Sequence, residues 1–374
     1  MRPNDDRPLL PDAGEHGGDG PAVAAALGVD PADLLDLSQS LNPFAADARP
    51  IVARHLDAVA HYPDAGRATE ALAGTMGVDP GRLLLTNGGA EAIALVAAEL
   101  GAGRVDEPDF ALYRRHLRVD DDGPRLRSNP HNPTGLLAGP DERAAVWDEA
   151  FYPLATGAWT RGDTDTLVVG SLTKLLACPG LRIGYVLAPS AAALAPIARR
   201  QPAWAVNGLA AAALPELLAT VDLPRWCPQI ASARADLVAV LEQRGLAPRP
   251  SDSPWVLVDL ADPASEPRAA LVDRPDPTSE PRAALTDRPG LASALRTALA
   301  GHRVLVRDCT SFGMPDTVRI AVPAPADLGW LAGALDQVLP SSAWPPSGRP
   351  STPTRSTAPS PTTPTTRPPV ESDP

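Results

Sequence analysis

Short apolar segments alternate with helical stretches along most of this chain, and that alternation limits the possible folds more than any other feature of the sequence. Residues 83–86 are a predicted buried strand, and the next helix is predicted over residues 90–100. Two further strands are predicted over residues 166–170 and 182–187. Alternating strands and helices are typical of α/β domains. We therefore predict an α/β domain in this part of the chain.

The later part of the chain has its own set of elements, which predicts a second, smaller α+β domain. Helices are predicted over 210–220, 229–244 and 291–300, and strands over 255–260, 303–307 and 317–322. The predicted organisation is an N-terminal arm (1–45), a large domain (46–205), a small domain (206–340) and a tail (341–374).

Two stretches differ in composition from the rest. Within residues 261–290, the heptapeptide Ser-Glu-Pro-Arg-Ala-Ala-Leu begins at Ser265 and again at Ser279. Two copies are too few for a repeat architecture, so we interpret this stretch as a loop insertion in the small domain. The tail is almost entirely Pro, Ser, Thr and Arg. Such a segment cannot bury enough apolar surface to fold, and we expect it to be disordered.

Charge and cysteine usage exclude several classes of protein. The formal net charge is −12 and the arginines are dispersed, which argues against nucleic acid or an anionic membrane as a partner. No apolar run is long enough to suggest a membrane span. The three cysteines are scattered and the histidines lack metal-ligand spacing, so we expect no metal site. Scattered cysteines also suit a reducing compartment, and we predict a cytoplasmic location.

The 33 basic residues comprise 32 arginines and a single lysine, Lys174. A guanidinium stays protonated at physiological pH, whereas a lysine amine can lose its proton and attack a carbonyl. A chain that otherwise uses arginine for positive charge therefore has a reason to keep an amine at this position. Covalent attachment of pyridoxal 5′-phosphate is such a reason. This hypothesis requires further ligands for the phosphate and the ring of the cofactor.

Two segments can bind a phosphate. Gly89 and Ala90 lie where a predicted helix begins, so free backbone N–H groups and the helix dipole converge there. Ser171, Thr173 and Arg182 flank the lysine and offer two hydroxyls and a guanidinium. A glycine in a strand-to-helix turn also has an ordinary steric explanation. The second segment alone could equally be a polar loop with a surface arginine. Their combination around a single lysine is more specific.

The remaining cofactor contacts have candidates between residues 62 and 148. Asn132, in Asn-Pro-Thr-Gly, can donate to the ring oxygen, although the same sequence also suits a rigid turn. Asp148, in Asp-Glu-Ala-Phe, can keep the pyridine nitrogen protonated, with a solvated acidic patch as the alternative. Phe110 and Tyr62 are the candidate aromatics for ring stacking and phosphate binding, and core packing is the alternative for both.

Two late arginines are candidates for binding substrate anions. Arg307 and Arg319 each lie at or within a predicted apolar strand. A charge in such a position is unfavourable unless it is paired. This favours anion binding over a local ion pair.

Taken in chain order, these motifs resemble those of the fold-type I pyridoxal phosphate enzymes, specifically the class I/II aminotransferase family, over about residues 14–338. The resemblance implies a large domain with a mixed sheet of seven-stranded type and a smaller α+β domain. It implies that Lys174 binds the cofactor covalently and that Arg319 binds the substrate carboxylate. It implies a homodimer in which Tyr62 reaches the partner's phosphate site. The remaining implied cofactor contacts are Gly89, Ala90, Phe110, Asn132, Asp148, Ser171, Thr173 and Arg182.

Two N-terminal segments narrow the resemblance within the family. His16-Gly-Gly-Asp and the later Leu-Ser-Gln-Ser-Leu-Asn42-Pro are similar to threonine-phosphate decarboxylases of the cobalamin pathway, as is the segment that begins at Arg307. Histidinol-phosphate aminotransferases are the related alternative. Both groups act on small phosphorylated amines, so His16, Asn42 and Arg307 join Arg319 as predicted substrate ligands. A decarboxylase is predicted, with a true aminotransferase second and a non-catalytic cofactor-binding module third.

The sequence also departs from the family pattern. Phe151 stands where a tyrosine is common, which removes one phenol donor to the ring oxygen. The stretches 89–129 and 135–148 are shorter than is usual, and a trimmed crossover before Asp148 would still permit the sheet.

Overall fold

The computed structural model describes residues 10–14, 16–162, 165–260 and 290–339. Its strands are β1 (Leu35–Asp36), β2 (Leu83–Thr86), β3 (Ala102–Val105), β4 (Arg118–Val119), β5 (Arg125–Ser128), β6 (Val146–Asp148), β7 (Leu167–Ser171), β8 (Gly184–Leu187), β9 (Ala247–Pro248), β10 (Trp255–Asp259), β11 (Val304–Leu305), β12 (Arg307–Asp308) and β13 (Thr317–Ala321). Its helices are α1 (Gly20–Leu27), α2 (Arg49–Ala53), α3 (Gly66–Met76), α4 (Gly88–Leu100), α5 (Leu112–His116), α6 (Tyr152–Thr156), α7 (Leu172–Leu175), α8 (Ala191–Ala198), α9 (Gly208–Leu218), α10 (Leu223–Glu242), α11 (Leu291–Ala300) and α12 (Leu328–Val338).

The larger sheet has seven strands in the order β2-β8-β7-β6-β5-β3-β4. Strand β8 is antiparallel to both of its neighbours, and the pairs from β7 to β4 are parallel. Parallel strands are usually apolar because both faces of such a sheet are covered. Strand β6, which is parallel to both of its neighbours, is buried along its whole length as that rule requires, and the antiparallel β8 is fully buried as well. The predicted α/β fold with a mixed sheet is confirmed.

Alternation along β6 divides its side chains between two cores and so determines where Asp148 points. Val146 packs in the core beneath α4, whereas Trp147 packs in the core on the opposite face. Because successive side chains in a strand point to opposite faces, Asp148 lies on the same face as Val146. The carboxylate is therefore at the end of the strand, on the α4 side.

The smaller sheet is antiparallel, with four strands in the order β12-β13-β10-β9. Its core contains Val256, Val258, Val318 and Ile320, together with apolar side chains of α10, α11 and α12. Strand β1 pairs in parallel with β11, so the N-terminal region lies against this part of the molecule.

Two sequence predictions of element bounds are wrong. The helix predicted over 229–244 begins six residues earlier, because the Asp222 side chain accepts from the Arg225 backbone N–H and Pro224 suits the first turn. Pro228 then lies inside the helix. The strand predicted over 303–307 is divided into β11 and β12, which pair with different partners, β1 and β13.

The connection between β5 and β6 contains no helix, although the two strands are parallel neighbours. In place of a crossover helix, two arginine side chains cover Trp147 on this face of the sheet. The Cζ atoms of Arg127 and Arg161 lie 5.9 Å and 4.9 Å from the centroid of the Trp147 ring. Arg161 also donates to three carbonyls of the connection, those of Gly139, Pro140 and Glu142, each at 3.0 Å. The short connection thus preserves the position of β6 and of Asp148 at its end.

The predicted domain boundaries stay predictions, and α9 packs against α3 in the larger core just beyond the predicted division at 205. The repeat segment and the tail lie outside the described residues. In the part of the chain that is described, no helix combines the length and the apolar character needed to cross a membrane.

Candidate active site

Lys174 lies in the one-turn helix α7, directly after β7. Its Nζ donates to the backbone oxygen of Gln39 at 2.9 Å. Burial, followed by the positive charges of Arg319 and Arg182, lowers the pKa of Lys174 to about 8. An amine with such a pKa is largely neutral in mildly alkaline solution and can act as a nucleophile or as a proton carrier.

The N-terminal region fixes the backbone around this lysine. The backbone N–H of Asn42 donates to the oxygen of Lys174 at 3.0 Å. The Asn42 side chain, which is buried, donates through Nδ2 to the oxygen of Leu175 at 3.0 Å. Asn42 therefore contacts the lysine segment through its backbone and its side chain together. Its predicted contact with substrate stays a prediction.

The predicted phosphate ligands converge at the start of α4. Gly88 has φ +76°, and a Cβ atom there would collide with the guanidinium of Arg182, so a glycine is required. A Cβ on Gly89 would lie 3.2 Å from the Cβ of Ser171. The hydroxyls of Ser171 and Thr173 are 2.7 Å apart. The backbone at Gly88 and Gly89, the hydroxyls of Ser171 and Thr173 and the Arg182 guanidinium thus lie close together where α4 begins, and Ala90 is the next residue of that helix.

Asp148 is buried, with 8% of its surface exposed, at the end of β6. Its Oδ2 accepts from the hydroxyl of Tyr113 at 2.8 Å, and its Oδ1 accepts from the backbone N–H of Ala150 at 3.0 Å. Burial raises its pKa, while the two hydrogen bonds act in the opposite direction. A carboxylate in this setting is suited to pair with a protonated ring nitrogen.

A second buried carboxyl group lies behind Asn132. The Asn132 backbone N–H donates to Ser128 Oγ at 2.7 Å, and Ser128 Oγ donates to Asp109 Oδ1 at 2.6 Å. Burial raises the pKa of Asp109 to about 7. The turn that carries Asn132 is therefore fixed from inside the protein by side-chain hydrogen bonds.

Arg319 is 6% exposed in the centre of β13. Its Nη1 donates to Oδ1 of Asn132 at 2.8 Å, and its Nη2 donates to the oxygen of Ser38 at 3.4 Å. Burial and the neighbouring Arg307 lower its pKa to about 10. Among the described residues, its Nε has no hydrogen-bond partner and no acidic side chain pairs with it. A buried guanidinium with unused donors can bind an anion.

Arg307 and His16 lie on the N-terminal side of the site. Arg307 stands directly opposite Arg319 in the β12–β13 register and is 2% exposed. It donates to the oxygen of Gly14 at 2.8 Å and to Ser311 Oγ at 2.9 Å. The His16 ring packs edge-on against Phe110, with centroids 5.4 Å apart. The structure thus brings both predicted substrate ligands against elements of the same site.

Tyr62 is not brought to the other predicted ligands. It is 80% exposed, and its ring lies on that of Trp204 with centroids 4.7 Å apart. Its predicted contact with a phosphate stays a prediction.

Four site residues were not predicted from the sequence: Asp109, Tyr113, Ser128 and Trp255. Tyr113 follows Phe110 by three positions, a spacing that places both on one side of a helical turn. Asp109 adjoins Phe110 in a segment that the sequence had already singled out. Trp255 begins a strand whose pattern indicates only a buried apolar side chain.

Comparison with known proteins agrees with this geometry. A sequence profile of the aminotransferase class I and II family matches residues 126–335, more than half of the chain. The chain belongs to this family. Members of the family are pyridoxal phosphate-dependent enzymes, and this protein is one of them.

Relatives of this aminotransferase-family enzyme divide between two activities. It is 32% identical to a threonine-phosphate decarboxylase of Salmonella typhimurium over 248 residues, which are 53% of this chain and 68% of that protein. It is 29% identical to a histidinol-phosphate aminotransferase of Symbiobacterium thermophilum over 358 residues, which are 82% and 91% of the two chains. The structure of a histidinol-phosphate aminotransferase from Sinorhizobium meliloti, in complex with pyridoxal-5′-phosphate, matches with a TM-score of 0.68 at 20% identity and covers 85% of this chain and 94% of that one.

The residues present fit the family's cofactor. The glycines at the start of α4 leave a space bordered by Ser171 and Arg182 that a side chain would fill. Asp148 and Asn132 offer the acceptor and donor that a pyridine nitrogen and a phenolic oxygen need. Among the described residues, no group of three or more His, Cys, Asp or Glu side chains is arranged to hold a metal ion.

Proposed function

We propose that this enzyme removes the carboxylate of a small phosphorylated amino acid as carbon dioxide, in the manner of the threonine-phosphate decarboxylases of cobalamin biosynthesis. The observation that carries this proposal is the pair Arg307 and Arg319, which stand opposite each other on β12 and β13 and are both almost fully buried. Each guanidinium can bind one anion in a bidentate manner. Together they match a small substrate with a carboxylate and a phosphate.

The roles of the chain's residues follow from their contacts. Arg319, supported by Asn132, binds the substrate carboxylate, and Arg307 with His16 binds the substrate phosphate. The cofactor, when bound, supplies an electron sink for the electron pair left at the substrate Cα. The bond from Cα to the carboxylate breaks, carbon dioxide leaves, and a proton takes the place of the carboxylate. Lys174, with its lowered pKa, carries that proton.

Transamination of histidinol phosphate is the second candidate. The alignment with a histidinol-phosphate aminotransferase extends over more of this chain than the alignment with the decarboxylase, which supports it. In that reaction a proton leaves Cα instead of carbon dioxide, and Lys174 accepts it. Histidinol phosphate has a phosphate and no carboxylate, so Arg319 would then serve the carboxylate of the second substrate.

Two parallel assays test the proposal. Purified enzyme with pyridoxal phosphate is incubated with O-phosphothreonine, and carbon dioxide and aminopropanol phosphate are measured. A second incubation contains histidinol phosphate and 2-oxoglutarate, and glutamate is measured. The Lys174→Ala variant is the control in both. Release of carbon dioxide with no glutamate supports the decarboxylase, and the reverse result would replace it with the aminotransferase.

We further propose that the enzyme is a homodimer. Four large side chains in or near this part of the chain are exposed, and the rings of two of them, Tyr62 and Trp204, lie on each other: Leu56, Val59, Tyr62 and Trp204, at 55%, 73%, 80% and 62%. An exposed apolar patch is favourable only when a partner covers it, and a second copy would place Tyr62 beside its phosphate site. Light scattering of the parent enzyme and of Tyr62→Asp tests this: a monomeric parent would contradict the homodimer, and a variant that stays dimeric would contradict an interface at Tyr62.

A cytoplasmic location completes the proposal. The cysteines Cys178, Cys227 and Cys309 are all free thiols, as expected in a reducing compartment. Cell fractionation with an antibody to the protein tests it, and recovery outside the cytosol would contradict it.

A further inference from the structure

Trp255 contacts three parts of the site although it is fully buried at the first position of β10. Its indole Nε1–H donates to the oxygen of Pro133 at 2.8 Å. The Cζ atom of Arg319 lies 5.1 Å from the centroid of its ring. The Phe151 ring packs edge-on against it, with centroids 4.7 Å apart. One side chain thus joins the two sheets at the predicted substrate site.

The strand register explains the contact with the arginine. In the antiparallel pair β10–β13, Leu257 stands opposite Arg319 and Trp255 stands opposite Ala321. Trp255 and Arg319 are therefore diagonal neighbours on one face, a separation that long and aromatic side chains bridge.

The hydrogen bond to Pro133 connects Trp255 to the same turn that Arg319 contacts. Arg319 donates to the side chain of Asn132, and Trp255 donates to the backbone of the next residue. The same turn is further held by Ser253, whose Oγ donates to the oxygen of Gly135 at 3.0 Å. The relative position of Arg319 and Asn132 is consequently fixed from two sides.

The indole ring of Trp255 affects Arg319 differently from an acidic side chain at the same place. It attracts a guanidinium through its ring quadrupole and carries no net charge. A carboxylate would orient Arg319 equally well but would neutralise it and occupy the donors that an anion needs. The described residues place an aromatic face beside this arginine and pair no acid with it.

We propose that Trp255 is a positioning residue for substrate binding: it holds Arg319 against the Asn132 turn without neutralising its charge, and the N–H donors not used by Asn132 and Ser38 stay available to a carboxylate. The inference rests on the proposed role of Arg319. Preorganisation of this kind lowers the entropy that a ligand must remove when it binds. It predicts an effect on ligands with a carboxylate and none on ligands that lack it.

The test uses the enzyme loaded with pyridoxal phosphate and the variant Trp255→Phe, which keeps a ring and loses the N–H donor. Trp226→Phe is the matched control, since Trp226 is buried in the larger core on α10. KM and kcat are measured with O-phosphothreonine, and the dissociation constant of aminopropanol phosphate, which lacks the carboxylate, is measured from the visible absorbance of the bound cofactor. We expect Trp255→Phe to raise KM about 3- to 10-fold, in the lower part of the range measured for coupling between contacting residues. We expect the dissociation constant of aminopropanol phosphate to change less than about twofold.

A double variant separates positioning from packing. If Trp255 acts through Arg319, then Trp255→Phe adds nothing to Arg319→Gln. Additive effects, or equal weakening of both ligands, would overturn the inference. If Arg319→Gln leaves the binding of O-phosphothreonine unchanged, the proposed function fails instead. Should Trp255→Phe fail to fold, Trp255→Tyr replaces it, with thermal melting as the check on folding.

Discussion

Two clusters of the active site differ in how their side chains are held. The buried cluster consists of Asp109, Tyr113, Ser128, Asn132 and Asp148, which all lie at or near the ends of β5 and β6. Its members bond to one another at 2.6 to 2.8 Å.

The rim cluster consists of Gly89, Ser171, Thr173 and Arg182. The hydroxyls of Ser171 and Thr173 bond to each other, and the Arg182 guanidinium is exposed, with a 3.4 Å contact to the oxygen of Pro179. The carboxylates of the buried cluster are thus fixed by short hydrogen bonds, whereas the exposed Arg182 guanidinium of the rim cluster is held only by a long contact. Substitutions should therefore have larger effects in the buried cluster than at the rim.

Replacement of Lys174, which lies between the two clusters, should have the largest effect. Lys174→Ala removes the amine that attaches the cofactor and carries the proton. We expect activity to fall by more than the roughly 10²- to 10⁴-fold that loss of a general base causes. The visible absorbance band of the bound cofactor should disappear. Lys174→Arg is the matched control, because it keeps a positive charge that cannot attack a carbonyl, and it should behave like Ala. A retained band in Lys174→Ala would refute the central assignment.

The pH dependence of cofactor attachment should report the lowered pKa of Lys174 directly. Burial and nearby arginines favour the neutral amine, so its pKa falls to about 8 and the reactive form becomes abundant above that pH. Compared with an ordinary lysine, with a pKa of about 10.4, the neutral amine at pH 8 is roughly a hundred times more abundant. Stopped-flow absorbance of apoenzyme mixed with pyridoxal phosphate should give a midpoint near pH 8.

Removal of a neighbouring charge supplies the control for that profile. Arg319→Gln deletes a positive charge that lowers the pKa of Lys174, so the midpoint should move to higher pH. A midpoint that stays near that of a free amine in the parent enzyme, or that moves down in the variant, would contradict the assignment.

The sequence predicted the rim cluster better than the buried cluster, for a physical reason. Ser171, Thr173, Lys174 and Arg182 lie within twelve positions, so a short motif contains them all. Tyr113 meets Asp148 only because β3, β5 and β6 are neighbours in the sheet. Such a contact depends on strand order, which local spacing does not encode.

The same limit explains Trp255 and the wrong element bounds. The contact between Trp255 and Arg319 depends on the β10–β13 register, and the break between β11 and β12 depends on pairing with two different sheets. The α/β fold itself was predictable, because apolar runs bounded by turns mark strands wherever they pair.

Loss of one hydroxyl from the buried cluster should have an intermediate effect. Tyr113→Phe removes the donor to Asp148, and this raises the pKa of Asp148 further, since that hydrogen bond lowers it. Hydrogen bonds to charged groups contribute about 1.5–3 kcal/mol, so kcat should fall about tenfold or more. Tyr185→Phe is the control, because Tyr185 is equally buried in the large sheet. Similar losses in both variants would indicate a packing defect in place of an effect on Asp148.

Loss of one hydroxyl from the rim cluster should have the smallest effect. Ser171→Ala removes one donor from a space that Thr173, Arg182 and backbone N–H groups also line, so the remaining donors compensate. Because those donors take over part of the phosphate contact, the loss should stay below the roughly 1.5–3 kcal/mol of a hydrogen bond to a charged group, and the dissociation constant for pyridoxal phosphate should rise about 2- to 10-fold. Equilibrium dialysis of the cofactor measures it, and Ser190→Ala, at the start of α8, is the control for loss of a serine hydroxyl elsewhere. A loss as large as that in Tyr113→Phe would show that the rim is as rigidly organised as the buried cluster, because only a preorganised donor contributes more than it loses to solvent.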